Sequence, residues 1–210
     1  NDGTGWVSVV TTRLWPELIK STRWILKLHL SGYALNGIGL TILNNLAIIV
    51  EGLITDLMLE EYSHSHPDTN PPFNPDRDTW EKKKSVYNQL FPKPLESYVG
   101  FDAVEILFLF RNNIAHGRSH IEISRTQSIS GEKSIIESEN ALYQKVRNYL
   151  VKRRSLIPTN THTNINMLWD IKNACSMMFE VEFFLKDILK DRSDKYYEGI
   201  TSEFNYAWKV

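Results

Sequence analysis

The chain has 210 residues, 42% of them hydrophobic and 11% aromatic, with six Trp, one Cys, and 24 basic against 25 acidic side chains for a formal net charge of −1. That is enough chain for one sizeable core, at roughly 100–200 residues per domain, and it excludes a disordered, collagen-like or disulfide-framed protein, each of which needs a composition far from this one. The near-neutral balance gives no global attraction to nucleic acid or anionic lipid, so any such binding must come from a local patch.

In chain order, residues 1–10 lack the basic start and continuous apolar run of a secretory signal, and the absence of an initiating Met predicts a trimmed chain or a fragment of a larger protein. Most long segments then carry apolar residues at three- and four-residue spacing, so the protein is predicted to be mainly α. Pro16 fits the first turn of a helix to about Leu30, where it removes no hydrogen bond the helix would otherwise make. Gly32, Gly37 and Gly39 mark a break. Ile38, Ile42, Leu46, Ile49, Leu53 and Leu57 line one face of the next helix, with Asn44, Glu51 and Thr55 on another face expected to be polar. The stretch Ile38 to Leu59 is long enough to span a bilayer, but Asn44, Asn45, Glu51 and Asp56 would each be costly in lipid, so it reads as a buried helix of a soluble protein.

Ser63 to Asp78, SHSHPDTNPPFNPDRD, is predicted to be a proline-rich loop. Asp78 or Thr79 is placed to cap a helix through about Leu90, and Pro92 and Pro94 punctuate before the apolar run Phe101 to Phe110. Between His120 and Glu137, alternation at Ile121 and Ile123, then Gly131 and the pair Ile135-Ile136, predicts a short β-hairpin. Helical spacing resumes at Leu142, Val146, Tyr149 and Leu150, stops in a loop over 155–165, and returns at Leu168, Ile171, Cys175, Met178, Leu185 and Ile188. The last twenty residues read as a shorter helix or a docked tail. No internal repeat and no second domain are evident.

Several motifs reduce to ordinary structure. Ser130-Gly131-Glu132-Lys133-Ser134 lacks the Gly-Lys-Ser/Thr order of a phosphate loop. His64 and His66 offer two imidazoles but no closing ligand at a metal-binding spacing, so neither metal nor cofactor is expected. Cys175 lies on an apolar stripe and reads as a small core residue, and its solitude suits a reducing, cytoplasmic compartment. The Trp residues are expected to fill core and rim. One basic run stands apart: KVRNYLVKRR holds Lys145, Arg147, Lys152, Arg153 and Arg154 with no acidic residue between them. It is either an ordinary solvated helix face or a phosphate-contacting stripe.

The segment Phe108-Leu109-Phe110-Arg111-Asn112-Asn113-Ile114-Ala115-His116-Gly117 carries the most information. Arg111 and His116 have the R-x4-6-H spacing, which composition alone yields roughly once by chance in such a chain, and Arg23 with His29 satisfies it too. The surroundings separate the two. Arg111-Asn112 and Ala115-His116-Gly117, after an apolar helix, resemble the R-N-x-x-A-H-G pattern of HEPN domains, an all-helical superfamily that includes many metal-independent ribonucleases of toxin, abortive-infection and other defence systems. Arg23-Trp24 and Leu28-His29-Leu30 do not. The specific likeness covers about ten residues. It implies a single HEPN-like helical bundle over residues 1–210, with the hairpin after the motif helix as a departure from the superfamily's pattern.

Metal-free RNA cleavage needs a base for the 2′-hydroxyl proton, an acid for the leaving 5′-oxygen and positive charge on the phosphorane. His titrates near neutrality, and Arg offers a permanently charged planar fork. On a regular helix Arg111 and His116 stand about 140° apart. Either Gly117 ends the helix and turns His116, or two protomers compose the site across a two-fold axis, as the resemblance implies. The expected roles are Arg111 on the phosphorane, His116 as base or acid, and Asn112 orienting His116 or touching the backbone, with Glu51 pairing with Arg111. The expectation is a homodimeric endoribonuclease acting on RNA, of toxin or antiviral-defence type with an antitoxin or sensor partner and no membrane. The alternative is a catalytically inactive HEPN-like module for dimerisation or for RNA or partner binding.

Overall fold

The computed structural model describes residues 13–32, 38–66, 70–75, 77–115, 124–129, 132–138, 141–153, 171–192 and 195–209. The described residues form a mainly helical protein: α1 Trp15–Leu30, α2 Ile38–Ser65, α3 Trp80–Leu90, α4 Phe101–Ala115, α5 Ala141–Lys152, α6 Ile171–Lys190 and α7 Glu198–Lys209, with strands β1 Ser124–Ile129 and β2 Glu132–Ser138 between α4 and α5. The strands pair antiparallel with an irregularity at Arg125/Thr126. Ile135 and Ile136 lie on β2; Ile121, Ile123 and Gly131 fall outside the described residues, as do Leu168 and the loop expected over 155–165.

α2 is the axis of the fold, packing against α1, α3, α4, α6 and α7. It is long and apolar enough to cross a membrane, yet its apolar side chains are spent on these neighbours: Ile42, Leu46, Ile49, Val50, Leu53, Ile54 and Leu57 are all inaccessible to solvent. Burial on nearly every side corrects the expected polar face. Thr55 is buried, while Asn44 is exposed. α2 also runs to Ser65, three residues into the expected loop. Ser65 Oγ bonds the Glu61 carbonyl at 2.8 Å, and the His66 ring stacks on Tyr62 at 4.6 Å.

α1 lies antiparallel to α2. The Trp15 indole donates to Asp56 at 2.7 Å, and Asn45 donates to Thr22 at 3.1 Å, seven residues further along α1. Gly52 permits this approach, since a Cβ there would stand 3.2 Å from the Trp15 ring. α7 runs parallel to α1, with Arg13 bonding Glu203 at its start and Arg23 donating to the Trp208 carbonyl at its end. Arg13 also reaches Asp56 and Glu60, both at 3.2 Å. Thr79 caps α3, its hydroxyl accepting from the Lys82 amide at 3.3 Å. Gly100, at φ +90°, caps α4, and a Cβ there would meet the Glu180 carbonyl at 2.7 Å. α4 therefore starts hard against α6.

Two outcomes follow. Gly100→Ala should lower stability by about 2 kcal/mol or more, since left-handed backbone and a backbone clash coincide; urea unfolding measures it, and an effect within error would contradict the packing. Burial raises the carboxyl of Asp56 above its ordinary value, outweighing the Trp15 hydrogen bond and Arg13, so the native state holds this proton to higher pH than the unfolded chain. Stability from Asp56 is thus fullest in acid and lost as pH rises through the folded value. Asp56→Asn should gain stability relative to the parent between pH 3 and pH 7, roughly the span a carboxylate crosses, and a flat or opposite trend would refute it.

Candidate functional site

Arg111 stands just before the last turn of α4, where the apolar run that buries Val104, Leu107 and Phe108 gives out. Its Nη1 lies 2.7 Å from Glu51 Oε2, so the pairing expected between these two residues is formed. The guanidinium also sits 5.8 Å from the centre of the Phe108 ring, within reach of a cation–π contact. A third of the Arg111 side chain, 32%, remains exposed, against 16% for Glu51. The carboxylate holds the cation from beneath and leaves part of it in solvent. Asn112 is exposed beside it. His116 and Gly117 follow α4 directly in sequence and lie outside the described residues.

A residue that sequence reasoning missed completes the cluster. Lys83 of α3 is only 3% exposed, and its ammonium bonds Glu51 Oε1 at 2.8 Å and the Pro75 carbonyl at 2.7 Å. Glu51 thus divides its two oxygens between a buried lysine and a half-buried arginine. The signal was present: Trp80, Lys83 and Val86-Tyr87 fall at helical spacing on the apolar face of α3. Trp80 stacks flat on Phe108 at 4.0 Å, so the face that buries Lys83 also backs the aromatic ring beneath Arg111. Lys84, the next residue, points to Glu81 and Glu105 instead, at 2.9 Å and 3.1 Å.

Two members of the basic run are ion-paired. Lys152 pairs with Asp102 at 2.9 Å and Arg153 with Glu180 at 2.5 Å, while Lys145 is exposed. Arg154 and the side chain of Arg147 lie outside the described residues. Tyr149, buried on the inward stripe of α5, has its phenol pushed well above the usual range by that burial. The second Arg–His pair has a structural employment. Arg23 ties α1 to the carboxyl end of α7, and His29 sits half-buried on the last turn of α1. The His64 ring packs tilted against Tyr196, with ring centres 3.9 Å apart, and Cys175 is half-buried rather than fully in the core.

No family model, curated protein or solved structure matches this chain.

The asymmetry of the cluster sets a test. Glu51→Ala strands the Lys83 ammonium in a buried site and should cost about 3–5 kcal/mol. Arg111→Ala leaves the Lys83–Glu51 pair intact and removes a partly solvated interaction worth about 1 kcal/mol or less. Equal losses in urea unfolding would show that Lys83 does not depend on Glu51.

Proposed function

We propose that the protein is a HEPN-like metal-independent endoribonuclease, with Arg111, Asn112 and His116 as its working residues and a site composed by two protomers. The observation that supports this reading most is the placement of Arg111: anchored from below by Glu51, partly open to solvent, and five residues ahead of His116. A guanidinium oriented in this way need not give up rotamer freedom when a phosphate arrives, and its remaining N–H groups suit phosphate oxygens. In the proposed reaction the 2′-oxygen of a ribose bonds to the adjacent phosphorus as its proton passes to a base. The bond from phosphorus to the 5′-oxygen breaks, and that oxygen takes a proton from an acid. His116 of one protomer serves one proton step and its counterpart in a second copy the other, while Arg111 stabilises the charge on the phosphorane. Exposed Asn112 contacts the sugar-phosphate backbone or orients His116. A toxin or antiviral-defence role in the cytoplasm, held in check by an antitoxin or sensor partner, belongs to the same proposal.

One observation favours a second reading, a catalytically silent module for dimerisation or for RNA or partner binding. The pairing of Lys152 with Asp102 and of Arg153 with Glu180 weakens the positive field that α5 would otherwise offer to a polynucleotide.

Incubation with mixed RNA in excess EDTA separates the two. The nuclease reading expects fragments ending in 2′,3′-cyclic phosphate from the parent protein, lost in folded Arg111→Ala and His116→Ala variants and retained in an Arg23→Ala control. Cleavage equal in all four proteins would refute the site. RNA binding without cleavage, weakened by substitution of Lys145, Lys152, Arg153 and Arg154, would establish the module instead.

A further inference from the structure

A lysine with 3% of its surface exposed has left water almost entirely, and its charge must be met inside the protein. Lys83 meets it with one oxygen of Glu51 and one backbone carbonyl, Pro75, of the proline-rich loop. The second oxygen of Glu51 is thereby left, among the described residues, to Arg111 at 2.7 Å. Without the ammonium, the carboxylate could turn about its side-chain torsions and grip Arg111 with either oxygen, or swing toward solvent. With it, Glu51 has one orientation, and Arg111 inherits that orientation across the 2.7 Å ion pair.

We infer that Lys83 is a positioning residue for Arg111: through Glu51 it fixes the direction in which the guanidinium is presented at the end of α4. It does not touch the RNA, and it acts on cleavage only through the carboxylate it shares. This deepens the endoribonuclease reading and rests on it for its functional consequence, whereas its structural half stands independently. The same ammonium also ties the loop at Pro75 to the cluster, so the loop, α3, α2 and α4 meet in one chain of polar contacts.

The Nε–Hε resonance of Arg111, assigned by its disappearance in Arg111→Lys, reports the order of that side chain by 15N relaxation. Lys83→Met is expected to raise Arg111 side-chain mobility in the parent protein and to leave it unchanged in a Glu51→Gln background, because the effect travels through the carboxylate. A residue that merely fills space would act equally in both backgrounds. If Lys83→Met loses the native amide spectrum, Lys83→Gln, which removes the charge but keeps a donor, is carried through the same cycle. In RNA cleavage the variant should lower kcat by about 10- to 100-fold, as for a misplaced group, with KM little changed. Arg111 equally ordered in the parent and the Lys83 variant overturns the inference. A parent protein that cuts no RNA, while Arg111 loosens as expected, sinks the nuclease reading alone. Cleavage abolished by Arg111→Ala but untouched by the Lys83 variant leaves the nuclease standing and overturns the positioning role.

Discussion

A carboxylate set into the most deeply buried helix of a protein has to be satisfied there, and the solution to that problem organises the region around α4. Glu51 has inaccessible Val50 and Leu53 as near neighbours along α2, and burial of a carboxylate without partners is far too costly to persist. It is met from two sides, by a lysine delivered by α3 and an arginine delivered by α4. Because the lysine is sealed and the arginine is partly open, the cluster has an inside and an outside. The outside, at Arg111, is where most of its exposed surface lies.

The rest of the fold holds these elements at the required separation. Trp80 stacked on Phe108 sets the spacing of α3 and α4, and the contact of Gly100 with α6 sets where α4 begins. Further along α2, Arg13 gathers Asp56, Glu60 and Glu203, joining the start of α1 to α2 and α7 by a second polar cluster. α2 is common to both. Its two half-buried carboxylates, Glu51 and Asp56, are each matched to basic residues from neighbouring segments, which explains how acidic residues persist in so apolar a helix.

Much of this was legible because helical periodicity is a local property. Pro16 at the start of α1, Thr79 capping α3 and the apolar stripe of α6 are written in neighbouring residues. Glu51 was legible for a different reason: a charged residue in an otherwise apolar helix demands a partner, and Arg111, in an equally apolar run, makes the same demand. Lys83 escaped notice because it is one of three consecutive lysines, and only the phase of α3, fixed by Trp80 and Tyr87, distinguishes the buried one from its exposed neighbour Lys82. The partners of the basic run at 145–154 were not legible because they are remote in sequence. Asp102 and Glu180 arrive from α4 and α6, and no inspection of α5 alone reveals them.

On the proposed reading, the arginine that balances a buried charge on one side also balances a transient one on the other, the phosphorane of a cleaving RNA. A crystal structure with a 2′-O-methyl RNA, which binds but lacks the attacking hydroxyl, tests that claim most directly. The account predicts a backbone phosphate on the open edge of Arg111, with Glu51 still holding the opposite edge and a second copy of the chain completing the groove. RNA bound elsewhere, with Arg111 enclosed by protein and remote from every phosphate, would contradict it.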